Sequence, residues 1–249
     1  MAGTGLKIEH LSTAFGNEVV LKEINLSIRK GNVISILGKS GSGKTTLLKI
    51  IAGLERPDNG EILWEGKSIA RLSPKERGIV YLYQEPLLFP HLSVFENIAF
   101  GLRIRHLKEN EIEKRVRQTI SDLELSEHMH KMPDALSGGQ RQRVSFGRAL
   151  IIEPKMILLD EPFGALDHET REQMQDLLRK VLFKKHMTAV FVTHDVKEAI
   201  QMASEYGRMK DGNLHVYDTL QQFLDDPATG ARKESDFWQQ FNLNDLSNE

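Results

Sequence analysis

Gly38-Lys39-Ser40-Gly41-Ser42-Gly43-Lys44-Thr45 has the spacing G-x-x-x-x-G-K-[ST], and that spacing suits a chain of phosphates. Glycines let successive backbone N–H groups wrap the phosphate oxygens, the lysine reaches the terminal phosphates, and the threonine hydroxyl ligates Mg2+. Asp160 and Glu161 follow the apolar run Met156–Leu159. The first carboxylate fits the metal, and the second fits a water that must be oriented or deprotonated. His194 closes the run Thr188–Thr193, and Gln84 closes Ile79–Tyr83. An imidazole at the first position can donate to a γ-phosphate. The amide oxygen at the second can ligate Mg2+ or place the water.

Leu136-Ser137-Gly138-Gly139-Gln140 offers a second phosphate contact. Ser137 and Gln140 have the spacing of a capping box, so a helix starts here. Two glycines in its first turn weaken it by roughly 1 kcal/mol each relative to alanine. They also leave N–H groups uncovered at the helix end that favours anions.

These residues sit where strands end and helices begin. Asn32–Leu37 reads as a buried strand entering the glycine loop, and Thr45–Leu54 as the helix leaving it. Lys7–Leu11 and Val19–Ile28 alternate as half-exposed strands do, and Glu61–Trp64 and Ile79–Tyr83 add further strands. From Pro86 to about Leu136 no strong strand occurs, and Glu111–Leu125 reads as an amphipathic helix. Glu169–Lys185 places Met174, Leu177, Leu178, Val181 and Leu182 on one helical face. Met209–Tyr217 carries Asp-Gly turn chemistry and predicts a final hairpin. After Asp225 the chain turns polar. Alternating strands and helices predict an α/β fold with a mostly parallel sheet covered on both sides, and a helical subdomain inserted in it.

Composition narrows the function classes. The chain has 249 residues, 40% hydrophobic, with a net charge of −2 and no cysteine. The charge lacks the basic excess of a nucleic-acid footprint. The absence of cysteine excludes disulfides and thiolate metal sites. The first ten residues, MAGTGLKIEH, lack the apolar core of a signal peptide, and no run approaches the ~18 apolar residues of a membrane span.

In their order, these motifs resemble the ATPase subunits of ABC transporters, from about Leu6 to Asp226. The resemblance implies a P-loop NTPase core with a mostly parallel sheet, an N-terminal antiparallel β-subdomain and a helical subdomain at about 86–150. It implies one domain over 1–230, then a polar tail over 231–249 with no regulatory domain. It implies ATP held by Gly38, Lys39, Ser40, Gly41, Ser42, Gly43, Lys44, Thr45 and Thr46, with Phe15 stacked on adenine. By sequence alone Phe15 is as readily a core phenylalanine. The metal set is Thr45, Gln84 and Asp160, and the catalytic set is Glu161, His194 and Gln84. Asp167 closes a D-loop, Gly164-Ala165-Leu166-Asp167. Two copies are expected to pack head-to-tail. Ser137, Gly138, Gly139 and Gln140 then act on the partner's ATP, Ser137 and Gly139 at its γ-phosphate and Gln140 near its ribose. Lys39 stands where the family often has proline or another small residue, and Tyr83 where phenylalanine is usual.

Glu85–Leu102 is densely apolar at Leu87, Leu88, Phe89, Leu92, Val94, Phe95, Ile98 and Phe100. It reads as subdomain core, as a groove for a helix of an integral membrane permease subunit, or as both at different residues. FPHLSVFENIAFGL and PFGALD look most like bacterial and archaeal importers. The resemblance therefore implies a peripheral protein on the cytoplasmic face of the membrane, an extracytoplasmic solute-binding protein in the same system, and no nucleic acid. Three other readings stand beside it. An exporter or lipid-handling ATPase fits the groove less well. A soluble ABC ATPase acting on ribosomes or DNA fits poorly with one ATPase copy and this charge. A non-hydrolysing regulator has no use for Glu161.

Overall fold

A computed structural model describes residues 3–232, so the tail expected over 231–249 lies outside the described residues from position 233 onward. Strands β1 (Thr4–Phe15) and β2 (Glu18–Arg29) pair antiparallel across the Gly16-Asn17 turn. Both run further than alternation indicates. His10 and Glu23 adopt φ of 49° and 48°, and the register shifts beside them. Such bulges break the two-residue period. In β1 the inward face therefore passes from Leu6 and Ile8 to Leu11 and Thr13, a step of three residues across His10.

Strand β3 (Val33–Leu37) is buried at every residue, as a strand covered on both faces should be. It leads through the glycine loop into α1 (Lys44–Ala52). Then follow β4 (Asn59–Trp64), β5 (Lys67–Ser68), α2 (Pro74–Arg77) and β6 (Ile79–Leu82). The helical section holds α3 (Val94–Ile104), α4 (Glu109–Asp122) and α5 (Gly138–Leu150). The chain re-enters the sheet with β7 (Met156–Asp160), α6 (His168–Lys184), β8 (Thr188–Thr193) and α7 (Val196–Met202). It continues through β9 (Glu205–Lys210), β10 (Asn213–Tyr217) and α8 (Leu220–Asp225).

Two sheets result. One is antiparallel, in the order β2-β1-β4-β5; the other has the order β10-β9-β3-β8-β7-β6. The second is parallel from β6 to β9, with β10 antiparallel at its edge. Alternate residues of its strands feed separate cores. Met156, Leu158, Val190 and Val192 join α1 and the antiparallel sheet. Ile157, Leu159, Ala189 and Phe191 join α6 and the helical section. A small third cluster, with Tyr206, Tyr217, Phe223 and Ala231, covers the end of β3 at Leu37, so the folded body includes Ala231.

Two buried polar side chains hold loops that no pattern of apolar residues would fix. Arg77 is 2% exposed. Its guanidinium donates to the carbonyls of Ile50 and Ile51 at 2.7 and 2.8 Å, and to those of Leu72 and Ala70 at 3.1 and 2.8 Å. It thus caps the far end of α1, where a cation also suits the helix dipole, and burial lowers its pKa. Arg77→Met should destabilise the fold by about 3–5 kcal/mol, since four hydrogen bonds to carbonyls are lost, two of them buried; the urea midpoint measures this. Asn97, fully buried, accepts from Phe89 N–H at 2.9 Å and donates to the carbonyls of Phe89, Leu92 and Ser93 at 3.1, 2.8 and 3.1 Å. Close packing within the helical section needs Gly147. A Cβ there would lie 2.9 Å from both Ile98 Cδ1 and Leu123 Cδ1.

Candidate functional site

The glycine loop is held from both sides. Gly43, with φ of 106°, begins α1, and a Cβ on it would lie 2.9 Å from Leu21 Cδ2 and 3.0 Å from the Val20 carbonyl oxygen. A Cβ on Gly38 would lie 2.6 Å from the Met209 carbonyl oxygen. No larger residue fits either position, so the glycines serve packing as well as phosphate access. Gly38, Ser42 and Gly43 are buried, whereas Lys39, Ser40, Gly41 and Thr45 are exposed and Thr46 is half-buried. A cleft of about 560 Å³ beside the loop is lined by residues 38–42, His194 and Arg208, among others.

Lys44 is 4% exposed. Its Nζ donates to the carbonyls of Gly38 and Lys39 at 2.7 and 3.0 Å, and lies 3.3 Å from Glu161 Oε1. Thr45 Oγ1 donates to Asp160 Oδ1 at 3.2 Å. The other oxygen of Asp160 accepts from the Tyr81 hydroxyl at 2.5 Å. Burial, then the bond to Asp160, raises the Tyr81 pKa, so this phenol stays protonated and donates. Glu161 leaves the strand with φ of 45°, a strained conformation for a non-glycine residue. Its Oε2 lies 2.8 Å from His194 Nδ1. Lysine, threonine, two acids and histidine therefore meet at the C-terminal ends of β3, β7 and β8, where parallel sheets place their ligands. Thr45 and Asp160 are hard oxygen donors side by side, which fits Mg2+.

Gln84 lies two residues beyond β6 and is exposed. Its Nε2 lies 2.9 Å from where a Cβ on Gly164 would sit, just past Glu161. Phe15 is 53% exposed at the tip of β1, which decides against a core role. Across the turn it pairs with Glu18, and Val20 and Leu21, further along β2, are the residues that abut Gly43.

The Ser137–Gln140 capping box forms. Ser137 Oγ accepts from Gln140 N–H at 3.2 Å, and Gln140 Oε1 accepts from Ser137 N–H at 3.0 Å. Gln140 Nε2 lies 2.9 Å from His128 Nε2. The two glycines have different reasons to be there. Gly138 is exposed, as bare N–H groups require. Gly139 is buried, and a Cβ on it would come within 2.4 Å of Thr170 Cγ2. Asp167 Oδ1 accepts from Thr170 N–H at 3.0 Å and caps α6. That bond, with the Thr170 hydroxyl, lowers the Asp167 pKa.

The apolar stretch after Gln84 divides. Val94, Ile98, Ala99 and Leu102 are core; Leu88 and Phe95 are half-buried against it. Leu87, Phe100, Ile104 and Tyr83 stay exposed, at 58%, 36%, 57% and 41%. Phe89 packs on Phe100 with ring centroids 4.4 Å apart, under the Arg148 guanidinium at 5.1 Å. Among the described residues no helix is long and apolar enough to cross a membrane.

Sequence reasoning missed Tyr81, Arg77, Asn97 and Glu198. Only Tyr81 left a signal, a phenol inside the apolar run that leads to Gln84; β6 itself ends at Leu82.

A family model described as ABC transporter matches residues 21–164. The sulfate/thiosulfate import ATP-binding protein CysA of Xanthomonas campestris is 43% identical over 229 residues, 90% of this chain and 67% of that protein. The spermidine/putrescine import ATP-binding protein PotA of Thermotoga maritima is 44% identical over 228 residues, 92% of this chain and 62% of that protein. Among solved structures, CbiO1 from Clostridium perfringens, part of the ABC transporter complex CbiONQ, superposes with a TM-score of 0.85 at 28% identity, over 99% of each chain.

Proposed function

We propose, from the premise that this chain belongs to the ABC transporter family, that it is the ATP-binding and ATP-hydrolysing subunit of a prokaryotic solute importer. The observation that carries this reading is the meeting of Lys44, Asp160, Glu161 and His194 around the glycine loop. The relatives named as import ATP-binding proteins support the direction of transport. The division into a core and a helical subdomain at about 86–150 belongs to the same proposal.

In this reading the loop N–H groups and Lys44 bind the phosphates of ATP, and Phe15 meets the adenine. Thr45 and Asp160, with Gln84, would hold Mg2+. When bound, that ion offsets charge on the β- and γ-phosphates. Glu161 orients the attacking water and takes up its proton. His194, which shares a contact with Glu161, donates to the γ-phosphate. A second copy contributes Ser137, Gly138, Gly139 and Gln140 to the same nucleotide and places its Asp167 loop beside it. Each pair of copies then encloses two ATP molecules, and closure moves the membrane subunits.

Those subunits dock on the exposed part of the apolar stretch, with Leu87 and Phe100 at its surface. A permease and an extracytoplasmic solute-binding protein complete the system, which puts this subunit on the cytoplasmic face of the membrane. Mg-ATP hydrolysis by the purified chain, and pairing of the chain when hydrolysis is blocked, test the reading. Absence of both would overturn it. Leu87→Asp should leave ATPase activity of the isolated chain within about twofold, because surface changes away from packed features move stability by only ~0.5 kcal/mol. It should lower capture by the membrane subunits about tenfold or more, the range expected when a contact anchor is lost. Pull-down with detergent-solubilised permease measures it.

A further inference from the structure

The His194 side chain is 64% exposed, so packing does not hold the imidazole where it meets Glu161. Its backbone is held instead. Thr193 Oγ1, one residue before, accepts from Asp195 N–H at 3.0 Å, one residue after. The same hydroxyl donates to Glu198 Oε2 at 2.6 Å. Asp195 Oδ1 accepts from Glu198 N–H at 3.0 Å and closes the knot at the start of α7. The peptide carrying His194 thus lies inside a ring of three hydrogen bonds, and Glu198 makes two of them.

Glu198 also reaches across to α6. It is 5% exposed, and its second oxygen accepts from Gln175 Nε2 at 3.2 Å. The Arg171 guanidinium lies 3.9 Å from that oxygen. Arg171 in turn donates to the Leu166 carbonyl at 3.1 Å, inside the loop that ends at Asp167. One carboxylate therefore ties the turn bearing His194 to α6 by hydrogen bonds, and its charge faces, at ion-pair distance, the arginine that holds the loop before α6. A buried carboxylate costs several kcal/mol unless it is paired and hydrogen-bonded. An apolar residue would fill the same space between α6 and α7 without that cost.

We infer that Glu198 is a positioning residue: it fixes His194 relative to Glu161 and to the Leu166–Asp167 loop, so that the histidine is in place when the γ-phosphate arrives. The inference rests on the ATPase reading. It assigns Glu198 no contact with nucleotide.

Glu198→Gln keeps the volume and an acceptor for Thr193, but removes the charge that faces Arg171 and sets an amide against Gln175. The turnover number should fall about 10- to 100-fold, the size of effect that follows when a reacting group is misplaced by a fraction of its reach. The dissociation constant for the fluorescent analogue TNP-ATP should stay within about twofold, because the glycine loop is untouched. Glu198→Asp, which keeps the charge, should recover part of the loss. The deciding measurement is single-turnover hydrolysis in the His194→Ala background. There Glu198→Gln should change the rate by less than about twofold, since residues acting as a unit are not additive. Equal fold-losses with and without the imidazole, a rise in the TNP-ATP constant that accounts for the loss, or unchanged turnover in Glu198→Gln would each overturn the inference. If the unaltered chain hydrolyses no ATP, the ATPase reading fails instead, and this inference fails with it. Should Glu198→Gln not fold, as judged by its thermal midpoint, Arg171→Lys and Gln175→Leu test the same bridge from the α6 side with the same criteria.

Discussion

Replacing Glu161 by glutamine is expected to leave ATP bound and unhydrolysed. The substitution keeps the volume, and the amide oxygen can still face His194 Nδ1, now 2.8 Å from Oε2. What it removes is the proton acceptor. General-base assistance contributes about 10²- to 10⁴-fold to a rate, and turnover should fall by that factor. ATP affinity should hold within a few-fold, because Lys44 keeps its place through the Gly38 and Lys39 carbonyls. The trapped nucleotide should then accumulate the paired form. Light scattering behind a sizing column, with and without Mg-ATP, reads this directly. A monomer at saturating Mg-ATP would overturn the shared-site arrangement.

Lys44→Ala should act at the earlier step. Two charge-assisted hydrogen bonds to phosphate are lost at about 1.5–3 kcal/mol each, so ATP affinity should weaken by about 10²- to 10⁴-fold. Isothermal titration with ATP measures it. Lys44 also ties the loop to itself through the Gly38 and Lys39 carbonyls, and its side chain is buried. Lys44→Met keeps most of that packing and separates loss of charge from loss of loop shape. If the methionine variant bound ATP as the lysine does, Lys44 would not be a phosphate ligand.

Much of this was legible in the chain because single residues carried it. Strands β3, β7 and β8 are mostly apolar runs, broken in β3 by Ser35 and bounded in β8 by threonines, and they lead into the site residues. The lysine, the two acids and the histidine could be placed at strand ends for that reason. Alternation shows only part of the antiparallel strands because the bulges at His10 and Glu23 break it, and nothing in their residue types announces a left-handed φ. Gly139 was legible as a glycine but not for its cause: the methyl of Thr170 lies on another helix. The division of Glu85–Leu102 into core and surface depends on which helical face turns inward. The spacing of Val94, Ile98 and Leu102 contains that face, yet Phe100 and Ile104 are as apolar as they are. Glu198 was invisible for a different reason. A lone acid in a short helix looks like a surface acid until the partner helix is known.

Asn97 fixes the Phe89–Ser93 loop through four hydrogen bonds, beside the exposed Leu87 and Phe100. These bonds order both ends of the loop before any partner would meet it. Ordering losses in an association, which run to about 0.5–1.5 kcal/mol for each side chain immobilised, would then fall mainly on the arriving helix. If the proposed docking holds, the receiving surface is built in advance, and the tightness of the embrace would be set by how well the visitor is already shaped.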